Sequence, residues 1–255
     1  MTRSATGRHR KPSGRMRLRQ MPMIWMYHGV ADVAEDPNSL FVTPGRFASQ
    51  MAWLERRGLR GVSAGALVEA MRAGRHRGLV GITFDDGYAC VLQDALPELA
   101  RRGFTATFFI IAGLIGGTNE WDDGPSWPLL SASGVGELAA AGMEIGSHSV
   151  THPRLAGVKP ARLAAEVGPS RAALASLTGT QISGFAYPYG SMDAAARQAV
   201  RDADYQYACA VQTPLASLGM AALPRVYIGE ADGAARMAVK RRLHMGYITA
   251  KGGLS

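Results

Sequence analysis

Two adjacent carboxylates, Asp85 and Asp86, close a short apolar run over residues 79–84 and are followed at once by Gly87. Neighbours on a strand point to opposite faces, so the pair can serve one site only if the backbone turns at the strand end, which Gly87 permits. The plain alternative is an Asp-Asp-Gly turn whose side chains cap backbone amides. Some sixty residues on, in Gly-Ser-His-Ser-Val-Thr-His-Pro, His148 and His152 stand four apart. That spacing puts two imidazoles on one face of a helix or tight helical turn and suits two ligands of one metal. Asp85 or Asp86 could add a carboxylate. Two histidines and one aspartate leave coordination positions for water and substrate, the arrangement of a catalytic rather than a structural site. A pair of histidines flanking a turn is the structural alternative.

The elements that must carry these groups alternate. Residues 24–28 read as a strand ending on His28. Thr43-Pro44 gives an N-cap followed by proline at the first helical position, and a second helix spans residues 63–72. The strand at 79 follows, then a helix through Leu92, Leu96 and Leu99, and a strand over residues 105–111. Residues 113–128, with Trp121, Asp122, Asp123 and Trp127, read as a long loop of the kind that walls a site. Helices over 135–141, 160–177 and 193–201 alternate with strands at 143–146, 182–187, 207–211 and 223–228. Seven or eight strands so arranged imply a mainly parallel sheet, closed as a (β/α) barrel or open and doubly wound. Either way the site gathers at the carboxyl ends of strands. His28, Asp85-Asp86, His148 and Tyr187-Pro188-Tyr189 all fall there.

Composition bounds the rest. The chain has 255 residues and is 47% hydrophobic, enough for a buried core. Its charge of +8 is local: residues 1–20 carry seven of the 28 basic residues and no acid, and the remainder is near neutral. The expected layout is a basic disordered tail (1–20), one catalytic domain (21–230) and a loosely patterned extension (231–255). The tail has no aromatics among its arginines, so nucleic acid is not the expected partner; weak contact with an anionic membrane surface is a further reading. No sustained apolar stretch follows the basic start, no run is long enough to cross a membrane, and two cysteines make neither a disulfide framework nor a metal motif. A cytoplasmic protein is expected.

Thr-Phe-Asp-Asp-Gly-Tyr (83–88) together with His-Ser-Val-Thr-His (148–152) resembles the first two motifs of the NodB-type polysaccharide deacetylases, carbohydrate esterase family four. Phe-Ala-Tyr-Pro-Tyr-Gly (185–190) resembles the third, and the likeness runs over about residues 23–228. It implies a distorted (β/α)7 barrel, a divalent metal, usually zinc with cobalt or nickel as alternatives, and removal of N- or O-acetyl groups from sugars. By resemblance Asp85 is the general base and Asp86, His148 and His152 are the metal ligands. The division is physically reasonable: a carboxylate on the metal is held ionised and is a poor base, whereas its free neighbour can take a proton from the attacking water. The backbone N–H of Tyr189 would stabilise the oxyanion.

Two departures from the family pattern stand out. Ala186 occupies the place of the arginine that orients the base, and Arg225, opening the last strand, is the candidate replacement. The late Leu-x-His that supplies the general acid is missing; the only late histidine, His244, sits in a basic stretch after no strand. His28, ending the first strand, is the candidate acid, in a barrel circularly permuted so that the acid-bearing strand lies at the N-terminus. The substrate is expected to be an acetylated sugar or glycan precursor, with Trp121 and Trp127 as stacking surfaces or as pins for their loop. An amidohydrolase of small cyclic amides or ureides and a non-catalytic glycan-binding relative are the competing readings.

Overall fold

The computed structural model describes residues 22–211 and 219–251. Its strands are β1 (Ile24–Tyr27), β2 (Gly29–Val30), β3 (Phe41–Val42), β4 (Arg60–Val62), β5 (Leu79–Phe84), β6 (Thr107–Ile110), β7 (Glu144–Ser147), β8 (Gly184–Ala186), β9 (Tyr207–Ala210), β10 (Leu223–Pro224) and β11 (Val226–Tyr227). The α-helices are α1 (Pro44–Glu55), α2 (Ala64–Arg72), α3 (Ala95–Arg101), α4 (Ala132–Ala140), α5 (Pro160–Thr178), α6 (Ala194–Asp202) and α7 (Ala234–Lys251).

The main sheet runs β10-β9-β8-β7-β6-β5-β1-β11, with every ladder parallel. Its two ends are halves of one extended segment, interrupted only at Arg225. The Arg225 N–H donates to the Ala210 carbonyl on one side and the Ile228 N–H to the Met26 carbonyl on the other, both at 3.0 Å. The sheet therefore curls into a nearly closed parallel barrel with helices outside it, the distorted (β/α) barrel that the alternation and the resemblance imply. β1, the first strand of the described residues, sits between β5 and β11. β4 pairs with the amino-terminal half of β5, and β6 with its carboxyl half.

Aromatic packing fixes β5, the strand that ends on the aspartates. Phe84 stacks on Phe108 with centroids 4.8 Å apart and on Tyr27 at 5.4 Å, while Phe47 of α1 meets it edge-on at 5.8 Å. Burying an aromatic ring of this size is worth about 1.5–3 kcal/mol, so slippage of β5 by one residue, which would turn Phe84 away from the helices, is strongly opposed. With Phe84 directed at the helical layer, Thr83 and Asp85 face the barrel interior.

Four of these elements were not foreseen in the sequence: β2 and β3, two residues each, β4 and α7. β4 is three residues long and has little pattern to read. α7 occupies the C-terminal extension; only Met237 and His244 among its described side chains are buried, so its apolar periodicity is sparse. The first 20 residues lie outside the described part of the chain.

Candidate active site

Asp85 continues the inward-facing alternation of β5, but Asp86 would point outward if the strand went on. It does not: Asp86 adopts φ 70° and Gly87 φ 80°, which swings the second carboxylate back over the barrel mouth. A Cβ on Gly87 would lie 3.1 Å from Ile110 as well as in a left-handed backbone, so glycine is favoured there. The two aspartates are thus made to converge by two consecutive left-handed residues rather than by Gly87 alone.

The histidines converge differently from the helical spacing expected. Residues 148–152 form an irregular loop after β7, in which Ser149 (φ 69°) and His152 (φ 62°) are left-handed. The loop is held from below. Glu166, buried on α5, accepts from the Val150 and Thr151 N–H groups at 3.1 and 2.9 Å and from the Thr151 hydroxyl at 2.6 Å. Ser149 Oγ accepts from the His152 N–H at 3.0 Å. Glu166 escaped the sequence reading, although a signal existed: it falls on the same face of α5 as the buried Leu163, Val167, Ser170 and Leu174, where an acid needs partners. Of the six described non-glycine residues with positive φ, four (Asp86, Ser149, His152 and Tyr189) lie at this site. Backbone cost of about 1–3 kcal/mol each is concentrated where side chains must be aimed.

The result is a compact donor set. Asp86 Oδ1 lies 3.3 Å from His148 Nε2 and 3.4 Å from His152 Nε2, and all three residues are buried. Donors about 2.1 Å from one tetrahedral ion stand about 3.4 Å apart, so the spacing fits a shared cation. The tautomer fits as well. His148 Nδ1 lies 2.8 Å from the Ala186 carbonyl, which can only accept; Nδ1 therefore carries the hydrogen, and in the neutral ring Nε2 presents a lone pair to the Asp86 carboxylate. Two facing lone pairs require a cation or a proton between them. Burial pushes the Asp86 carboxyl up, but the hydrogen bonds with His148 and His152 outweigh it and hold the group far below the usual carboxylate range. Burial lowers His152, whereas the two carboxylates more than offset burial at His148 and raise it. The residues present thus fit a divalent metal site.

Asp85 is held apart from this set. Arg225, buried in the break between β10 and β11, grips both its oxygens at 2.6 Å and reaches the Thr83 hydroxyl at 3.2 Å. Burial would raise the Asp85 carboxyl; Arg225, and beyond it His148, bring it below its ordinary value. The nearer approach to the histidine pair is 4.0 Å, from Asp85 Oδ2 to His148 Nε2. Arg225 thus reaches Asp85 from between β10 and β11, whereas Ala186 lies on β8.

His28 follows β1 and lines the same cleft of about 100 Å³, with Asp85, Asp86, His148, His152, Tyr189 and Arg225. Its Nδ1 is buried and finds no hydrogen-bond partner among the described residues. Tyr189 lies in a left-handed turn after Pro188, its ring against His152 at 4.6 Å and 39% exposed at the mouth. Its hydroxyl is 3.5 Å from Asp122. The two tryptophans part company: Trp121 packs on the His152 ring at 4.7 Å, while Trp127 packs on Phe41 at 4.9 Å, away from the donor set. His244, set aside as the acid, is buried on α7 against the Pro22 carbonyl, at the opposite end of β1 from His28.

A family model described as polysaccharide deacetylase matches residues 72–208. The span includes Asp85, Asp86, His148, His152 and Tyr189, but neither His28 nor Arg225. A protein of Bacillus subtilis (strain 168) named as a polysaccharide deacetylase, YxkH, is 30% identical over 209 residues, covering 80% of this chain and 70% of its own. Among solved structures, IcaB from Ammonifex degensii is 25% identical with a TM-score of 0.73, covering 86% of this chain and 96% of its own. The Streptococcus pyogenes deacetylase PplD, solved in complex with acetate, shares the fold with a TM-score of 0.75 at 22% identity, covering 86% of this chain and 97% of its own.

Proposed function

The chain belongs to the polysaccharide deacetylase family, and we propose that it removes N- or O-linked acetyl groups from a carbohydrate, using a divalent metal ion held by Asp86, His148 and His152. One observation carries this reading: the buried donor set opens on the same small cleft as an aspartate that is ionised and locked by an arginine. When bound, the metal, for which zinc, cobalt and nickel suit such a donor set, supplies a Lewis acid for the acyl carbonyl and eases deprotonation of water.

The protein groups do the rest. Asp85, kept ionised and in one orientation by Arg225, takes a proton from the attacking water. The Tyr189 backbone N–H donates to the oxyanion as the carbonyl carbon becomes tetrahedral. His28 passes a proton to the leaving nitrogen or oxygen, so that acetate and the free amine or alcohol depart. A cleft this small has room for an acetyl group at the donors, which leaves the sugar at the rim beside the Tyr189 ring and Asp122.

The test is acetate release from N-acetylglucosamine oligomers and from O-acetylated xylan, by protein treated with chelator and then resupplied with zinc, cobalt or nickel. Acetate release that is lost with the metal and returns with it supports the reading. Hydrolysis of small cyclic amides without acetate release would replace it with the amidohydrolase reading, and no metal-dependent hydrolysis of either class would remove it.

A further inference from the structure

The charge of this protein is segregated. All 20 acidic residues lie within 21–233, where they outnumber 16 basic ones; the other twelve basic residues are in residues 1–20 and 234–255, which contain no acid. Ala234–Lys251 of the second segment form α7. Pro22, at the amino end of β1, is in contact with α7: its carbonyl is 3.1 Å from His244 Nε2.

α7 has two faces. Met237 and His244, seven residues apart, are buried against the barrel. On the opposite side, Val239 and Leu243 are 53% and 66% exposed, the two most exposed large apolar side chains among the described residues, and they stand one turn apart. Arg236, Arg241 and Arg242 are exposed on the same helix, and none of them pairs with a carboxylate among the described residues. Lys240 is engaged instead with Asp232 and the Tyr227 carbonyl.

We propose that the outer face of α7 docks on the anionic headgroups of a lipid bilayer. An apolar pair flanked by Arg236 and Arg242, neither of which meets a carboxylate among the described residues, is the composition of a helix that lies in a membrane interface, the apolar side chains entering the acyl boundary and the arginines meeting the headgroups. Nucleic acid would use the same arginines but gains nothing from Val239 and Leu243, which is why the bilayer is favoured. The geometry suits an enzyme. α7 begins after the carboxyl end of β11 and reaches Pro22 at the amino end of β1, so docking along its length leaves the cleft at the carboxyl ends of the strands unobstructed.

The experiment is co-sedimentation of the full chain with vesicles of phosphatidylcholine alone, or with about one third phosphatidylglycerol, at about 0.1 and 0.5 M salt. Binding is expected only to the anionic vesicles and is expected to weaken at high salt. The pair Val239→Gln with Leu243→Gln, and separately Arg236→Gln with Arg242→Gln, should each weaken it roughly tenfold or more, with thermal unfolding unchanged because all four side chains are exposed. Failure of the unaltered protein to bind at the lower salt overturns the proposal, as does binding that neither double variant reduces. Duplex DNA binding that depends on the arginines, with the Val239/Leu243 pair irrelevant to vesicle binding, would assign the face to nucleic acid instead.

Discussion

The Arg225 guanidinium and the Asp85 carboxylate, 140 residues apart in the chain, meet in two hydrogen bonds of 2.6 Å inside the barrel. A buried fork of this kind does more than hold charge. It fixes the plane of the carboxylate, and removing one partner strands the other in a low-dielectric site at a cost of about 3–5 kcal/mol. Arg225→Ala should therefore lower kcat for acetate release by about a hundredfold and reduce stability, whereas Arg225→Lys, which keeps charge but not the fork, should fall between. Turnover within a few-fold of the unaltered protein, in an Arg225→Ala variant that is still folded, would show that Asp85 is oriented by something else.

The two aspartates should separate cleanly under isosteric substitution. Asp86→Asn removes a charged donor and is expected to cost at least tenfold in zinc affinity. Asp85→Asn should bind metal like the unaltered protein and lose turnover by about 10²–10⁴-fold. Metal content after dialysis against a zinc buffer, read beside acetate release, checks both. Equal metal loss in the two variants contradicts the division of roles.

His28 can be tested through its leaving group. If it donates the departing proton, His28→Ala should lower kcat on an N-acetyl sugar by about 10²-fold or more and do much less to an aryl acetate, whose leaving group needs no proton. The same loss on both substrates would mean that His28 supports the site by packing, not as an acid.

Glu166 never touches the proposed reaction centre, yet it holds the loop on which both histidines ride through three hydrogen bonds. Glu166→Ala leaves two N–H groups and a hydroxyl without that acceptor. At about 1 kcal/mol per lost bond, the melting temperature should fall by about 5–10 °C, and zinc affinity by about 10–100-fold. A variant that melts earlier but binds zinc as tightly as before would make Glu166 a stability residue alone.

Much of this could be read from one dimension because it depends on local rules. Thr43-Pro44 predicts the start of α1, and Thr43 Oγ1 does accept from the Arg46 N–H at 3.2 Å. Strand-helix alternation implies a parallel sheet with its site at the carboxyl ends, and Asp85, Asp86, His148 and His152 announce themselves by type and spacing. What the sequence could not supply was geometry that closes only in three dimensions. The histidine pair looked helical by spacing, but its convergence comes from two left-handed residues in a loop braced by Glu166, and φ is not written in residue type for serine or histidine. Arg225 could be nominated as the partner of Asp85 but not placed against it, since their meeting depends on the last strand closing the barrel beside the first. α7 stayed hidden because its contact with the barrel rests on few side chains, too sparse to impose a period. The residue types thus determined which chemistry was available; the closure of the barrel decided which groups face one another, because hydrogen bonds between strands far apart in sequence fix positions that no local pattern encodes.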